Sequence, residues 1–208
     1  MLKNKKKGGF IVIRIAQKKD AKAIQAIYSP YVKNTTITFD YEVPSIVDFE
    51  TKIEKTLNHY PFLVYEHYGE VIGYAYAHPY MEKAAYQWSA VLTVYLNEQH
   101  TGLRIGQALY QSLIDLLSFQ GFKNIYACVT IPNEKSKRLH ESFGFREVGF
   151  FKEAGFKNGK WYAINWFEKR IGSFGEMPEA VIPFKELEIK TISATLKKNE
   201  KLIKIPKK

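Results

Sequence analysis

Apolar positions along the chain change period in a regular succession. Ile11-Val-Ile-Arg-Ile15 is a β-branched run and predicts a first strand. Asp20 can cap the helix that follows, with Ala23, Ile24 and Ile27 at helical spacing up to Ser29-Pro30. Thr35–Phe39 is polar but β-prone. Pro44-Ser45 opens a second helix, with Ser45 and Asp48 as cap candidates and Phe49, Ile53 and Leu57 on one face. A meander follows, Phe62–Glu66, a turn at His67–Glu70, then Val71–His78. The next strand is read as Tyr86–Leu96, long enough that a bulge or splay within it is expected. From Gly106 to Gln120 the stripe Ile105, Leu109, Leu113, Leu116 and Leu117 predicts an amphipathic helix ended by Gly121. Asn124–Ile131 reads as a buried strand, Asn133–Ser142 as a short helix stopped at Gly144, and Phe145–Phe151 with Tyr162–Lys169 as a closing pair. The order β-α-α-β-β-β-α-β-α-β-β predicts a mixed sheet with helices on both faces, a single α/β (α+β) domain over residues 10–170.

The ends behave differently. Residues 1–9 carry four Lys and no acid, and read as a basic tail. Pro178–Pro183 reads as an extended segment packed on the domain. Beyond Leu187, Lys alternates with Ile and Leu, so the extension 171–208 ends either in an added helix or in a loose tail. Much of the net charge of +10 therefore sits at the ends. Nucleic-acid binders gather basic charge on one face, so a nucleic-acid partner is not expected. No apolar run approaches the roughly 20 residues that span a bilayer, so no membrane role is expected. The basic start lacks the apolar core of a signal peptide, and the single Cys128 cannot form an internal disulfide; both point to the cytoplasm. Cys128, mid-strand among apolar neighbours, reads as core. His59, His67, His78 and His100 show no ligand spacing, so no metal site is expected.

Candidate chemistry begins at His100-Thr-Gly-Leu-Arg-Ile-Gly-Gln107, between a strand and an amphipathic helix. Glycines there, at a helix N-terminus, suit a phosphate held by free backbone amides and the positive end of the helix dipole. Alone the signal is weak. A second helix start, Pro132-Asn133-Glu-Lys-Ser136, follows the next strand and strengthens it.

The order of elements, the loop TGLRIG and the run NEKSKRLHESFGF together resemble the GNAT acetyltransferase superfamily. TTITFDYE (35–42), YPFLV (60–64), VIGYAYA (71–77), AAYQWSA, LTVYL (92–96) and AGFKNGKWY (154–162) narrow the resemblance to its phosphinothricin acetyltransferase-like branch, over roughly residues 11 to 170. The resemblance implies an N-acetyltransferase using acetyl-CoA, without a metal, to modify the primary amine of a small molecule such as an amino acid or a methionine-sulfoximine-like analogue. It implies that Val94, Tyr95 and Leu96 hydrogen-bond the pantetheine arm along a splayed fourth strand. Gly102, Leu103, Arg104, Ile105, Gly106 and Gln107 would hold the pyrophosphate, and Asn133 and Ser136 would stand near the thioester. His140 falls where relatives place a group near the coenzyme sulfur. Phe39, Tyr86, Trp88 and Tyr162 are the candidates for the acceptor pocket, which relatives close across a homodimer interface.

Acetyl transfer to an amine needs a base for the ammonium proton, because only the neutral amine attacks a thioester. Here the chain departs from the branch pattern. Val91 stands where relatives carry a glutamate, Arg104 replaces a loop glycine, and Ala163 replaces an aspartate near the end. Two readings follow. One is an active enzyme that uses Glu42, or His140 through water, or the unprotonated fraction of a low-pKa amine. The other is a degenerate homologue that binds coenzyme A and turns over slowly.

Overall fold

The structure, a computed structural model, describes residues 11–100, 102–175 and 177–204. The basic segment 1–9 lies outside the described residues. Seven strands, β1 (Ile11–Ile15), β2 (Phe62–His67), β3 (Glu70–Pro79), β4 (Ser89–Leu96), β5 (Asn124–Ile131), β6 (Arg146–Lys157) and β7 (Lys160–Arg170), form one sheet in the order β1-β2-β3-β4-β5-β7-β6. Every neighbouring pair is antiparallel except β4 and β5, which run parallel. Among the described residues five α-helices cover it: α1 (Ala21–Asn34), α2 (Ile46–Leu57), α3 (Ile105–Gln120), α4 (Glu134–Ser142) and α5 (Ile189–Glu200). The mixed α/β architecture read from the sequence is the one observed.

Side-chain alternation along the strands builds two cores. On one face Phe62, Val64, Tyr74 and Tyr76 bury against Ile24, Ile27, Phe49 and Ile53 of α1 and α2. On the other, Ala75, Leu92, Ile125 and Phe167 bury against the Leu109, Leu113, Leu116 and Leu117 stripe of α3. Ser45 caps α2, accepting from the Asp48 amide at 3.1 Å while the Asp48 carboxylate accepts from the Ser45 amide at 2.8 Å. That is the reciprocal box expected at Ser45 and Asp48.

Some boundaries differ from the sequence reading. α1 does not stop at Pro30 but runs through it to Asn34. The ring removes one helical donor, and burial of Tyr28 and Val32 on either side keeps the helix intact. β4 starts at Ser89, not Tyr86, because Ala84–Tyr86 forms a 3₁₀ turn. β6 and β7 are longer than the predicted pair, meeting at the Asn158-Gly159 turn. The end of the chain takes the helical alternative: α5 packs on α3 and β1, burying Ile192 and Leu196.

Two features position a site. β4 and β5 pair only at Ser89–Asn124, Ala90–Ile125 and Val91–Tyr126. Beyond that row they part, leaving Leu92–Leu96 and Ala127–Ile131 facing each other across a gap. The loop 35–45 lies beside this gap, held by a buried lysine: Lys157 Nζ donates to the carbonyls of Val32 and Thr38, each at 2.8 Å. The ammonium thus ties the C-terminal turn of α1, where the helix dipole favours a cation, to the loop and to β6. Burial pulls Lys157 below the ordinary lysine pKa, with the Asp40 charge pulling the other way. Phe39 packs directly over Gly155 of β6, where any side chain would displace it. The substitution Lys157→Met leaves both carbonyls without their donor and is expected to cost about 2 kcal/mol of stability. Urea unfolding measures this; an unchanged midpoint would show that the clamp contributes nothing.

Candidate active site

A cavity of about 780 Å³ opens where β4 ends, the following loop turns and α3 begins. Its walls include Val94, Tyr95 and Leu96 of β4, the turn residues Gly102 and Arg104, and Ile105, Gly106 and Gln107 of α3, with Asn133 and Ser136 opposite. The turn is left-handed at two points, Gly102 at φ 83° and Arg104 at φ 60°. Glycine accepts this freely, whereas arginine gives up about 1–2 kcal/mol to the crowding of its Cβ. Among the described residues no side chain caps the first turn of α3, so its amides stay available to a ligand. Leu103 does not line the cavity. It packs into the core, and its carbonyl accepts from the Lys204 amide at 2.9 Å. Leu96 is also partly committed, since its carbonyl accepts from the Tyr31 hydroxyl at 2.6 Å.

Deeper in, a chamber of about 100 Å³ lies between the parted strands, bordered by Thr93, Tyr95, Cys128, Asn133, Tyr110 and His140. Asn133 caps α4, its Oδ1 accepting from the Ser136 amide at 3.1 Å. His140 is buried, with both ring nitrogens engaged: Nδ1 lies 2.7 Å from the Ser136 carbonyl and Nε2 lies 2.9 Å from the Tyr110 hydroxyl. A carbonyl only accepts, so Nδ1 carries the proton and Nε2 accepts from Tyr110. Burial lowers His140 to about 4, against the Ser136 carbonyl, which raises it. It is therefore neutral and tied down at neutral pH. Burial pushes the Tyr110 hydroxyl far above its usual value.

Cys128 is not core. Its neighbours Ala127 and Val129 point into the α3 side, and the thiol faces the other way onto the chamber, reached by solvent. The surrounding protein still desolvates it enough to raise its pKa to about 11.

The row where β4 and β5 part runs across the sheet as His78, Val91, Tyr126 and Glu168. These side chains share the face that carries Tyr74 and Tyr76. His78 Nδ1 lies 2.9 Å from the Pro79 carbonyl, which assigns the proton to Nδ1 and leaves Nε2 with a free lone pair. Burial lowers His78 below its ordinary 6.5, the Pro79 carbonyl opposes this, and Lys52 adds to it. Lys52 Nζ donates to the Tyr76 hydroxyl at 2.6 Å beside it. Across the row, the Tyr126 hydroxyl donates to Glu168 at 3.3 Å and Arg146 pairs with Glu168 at 2.6 Å.

The remaining sequence candidates scatter. Glu42 stays exposed on the 35–45 loop, away from both cavities. Phe39 packs over Gly155 of β6, whose register partner on β7 is Tyr162. Tyr86 is half-exposed, edge-on to Tyr80, which stacks on Tyr126 at 4.4 Å. Trp88 instead anchors the C-terminal extension, its indole donating to the Glu179 carbonyl at 2.7 Å. Sequence reading missed Ile37, which lines both cavities, and His78. The signal for His78 was its strand register opposite Val91, which no local pattern reveals. Among the described residues no cluster of three or more His, Cys, Asp or Glu is placed to hold a metal ion, and no helix is long and apolar enough to cross a membrane.

The crevice has the shape and donors for a long ligand with phosphates at one end: free helix amides at its mouth and an unpaired strand edge along its length. Comparison with known proteins agrees. Residues 13–166 match the acetyltransferase (GNAT) domain family. A phosphinothricin N-acetyltransferase of Streptomyces viridochromogenes is 34% identical over 159 residues, covering 76% of this chain and 87% of that protein. An L-methionine sulfoximine/L-methionine sulfone acetyltransferase of Salmonella typhimurium is 28% identical, covering 77% and 95%. Among solved structures, a phosphinothricin acetyltransferase from Sinorhizobium meliloti in complex with AcCoA superposes with a TM-score of 0.79 at 30% identity, covering 84% of this chain and 96% of that one. Free amides at the start of α3, the opened β4–β5 edge and a family match spanning both lead to one conclusion: the chain belongs to the GNAT acetyltransferase family and is an acetyl-CoA-dependent N-acetyltransferase.

Proposed function

We propose that this enzyme acetylates the primary amine of a small amino-acid-like acceptor, of the phosphinothricin or methionine sulfoximine kind, and works as a cytoplasmic homodimer. The observation that carries the reading is the 780 Å³ crevice that runs from free helix amides to Val94 and Tyr95, where it meets the chamber between the parted strands. Similarity to acetyltransferases of those two acceptors supports the substrate class and the active reading over the degenerate one.

Acetyl-CoA supplies an activated acetyl group as a thioester. Amides of Gly102 to Gln107 would bind its pyrophosphate, and the free edge of Val94 and Tyr95 its pantetheine arm. Asn133, Ser136 and the neutral Tyr110–His140 pair form the wall beside the thioester. His140, with both nitrogens committed, orients the Tyr110 hydroxyl rather than carrying a proton. Removal of the ammonium proton is assigned to His78: it is neutral, its tautomer is fixed by Pro79, and it stands directly across from Val91. Lys52 offers a positive charge on the same face to an acceptor carboxylate. Exposed Val148, Phe150, Phe151, Phe156 and Trp161 along β6 and β7 support a second subunit against that hairpin.

Isothermal calorimetry with coenzyme A is expected to show one binding site per chain, and a thiol-release assay to show turnover with amino-acid amines. Silence in both would end the reading. A base must be unprotonated to act, and burial favours neutral His78, so kcat/KM is expected to fall only on the acid side of pH 6.5. Replacing His78 by Gln is expected to lower kcat/KM about 100-fold and to abolish that acid limb. An unchanged limb in the variant would exclude His78 as the base.

A further inference from the structure

The chain continues beyond the residues that match the family, and its last described residues return to the loop before α3. α5 is fastened at several points. The Glu200 carboxylate accepts from the Ile13 amide on the outer strand β1 at 2.8 Å, Asn199 Nδ2 donates to Asp115 of α3 at 3.0 Å, and Lys198 pairs with Asp115 at 3.2 Å. Ile203 then packs into the α3 core, and the amide of Lys204 donates to the Leu103 carbonyl at 2.9 Å. Leu103 is the residue of the phosphate loop whose side chain also turns inward.

A trans peptide is planar, with its carbonyl and the next amide pointing to opposite sides. The Leu103–Arg104 bond is trans. Pinning the Leu103 carbonyl toward Lys204 therefore sends the Arg104 N–H away from Lys204, which does not line the crevice that Arg104, Ile105 and Gly106 border. The same bond holds one flank of the left-handed turn at Arg104, a conformation that arginine does not keep without outside support.

We propose that the C-terminal segment is a brace for the phosphate loop: the Lys204 amide, acting through Leu103, is a positioning group that aims the Arg104 amide at the coenzyme pyrophosphate. The inference rests on the reading of the crevice as the coenzyme site. It assigns the extension a part in cofactor affinity and none in acceptor binding.

The test compares Lys204→Pro, which lacks the amide hydrogen, with Lys204→Ala, which keeps it and loses the charge. A third form stops after Ile203 and leaves α5 whole. Calorimetry with coenzyme A is expected to show about fivefold to tenfold weaker binding for Lys204→Pro and the shortened chain, and wild-type binding for Lys204→Ala. Steady-state kinetics should show a matching rise in KM for acetyl-CoA with kcat and the KM for the amine unchanged. Thermal melting identifies any variant that fails to fold, and the shortened chain then decides. Wild-type affinity in Lys204→Pro, or equal losses in Lys204→Pro and Lys204→Ala, would overturn the brace. Absence of coenzyme A binding by the wild-type protein would instead remove the crevice reading itself, a result distinct from either.

Discussion

The refusal of two parallel strands to stay paired governs everything else in this molecule. β4 and β5 share a ladder only as far as Val91 and Tyr126. Backbone groups deprived of partners are costly when buried, and a sheet normally leaves none at its centre. Here they face a wet gap, and a ligand able to add itself as a strand satisfies them. The helix that starts at the mouth of the gap, uncapped by any described side chain, adds a second set of free amides suited to an anion. One parting of strands thus yields both a slot for an extended arm and an anchor for its charge.

Around that gap the polar groups divide by environment rather than by type. His140 and His78 are both neutral, yet their surroundings give them different capacities. The first has each nitrogen spent within the wall, so it fixes geometry. The second has one nitrogen spent and one free, so it can exchange a proton. Lys157 shows the same economy from the opposite charge: desolvated, but supplied with two carbonyls and a helix C-terminus, it keeps the loop beside the gap in register with the β6–β7 hairpin.

The framework was legible because it follows from periodicity and caps. β5 runs from Asn124 to Ile131 as read, α3 ends at Gly121, and α4 is capped by Asn133. The turn from Gly102 into α3 was legible because glycine before a helix has a direct backbone meaning. What escaped depends on pairing between distant segments. Cys128 sits among apolar neighbours in sequence, but its face is open because β4 has swung away from β5. His78 meets Val91 only through strand register, and Trp88 is taken by the carbonyl of Glu179, ninety-one residues away. Pro30 misled because a buried helix tolerates the loss of one donor that an isolated one would not.

The thiol of Cys128 carries a final chemical consequence. In the proposed site this sulfhydryl would face the thioester and invite transthioesterification, an exchange of nearly equal energies that would leave the protein acylated on its own side chain. Only the thiolate takes part, and at a pKa of about 11 very little of it exists near neutrality. Partial desolvation at the floor of the gap thus works as a protecting group, keeping the acyl group available to nitrogen and closed to the enzyme's own sulfur.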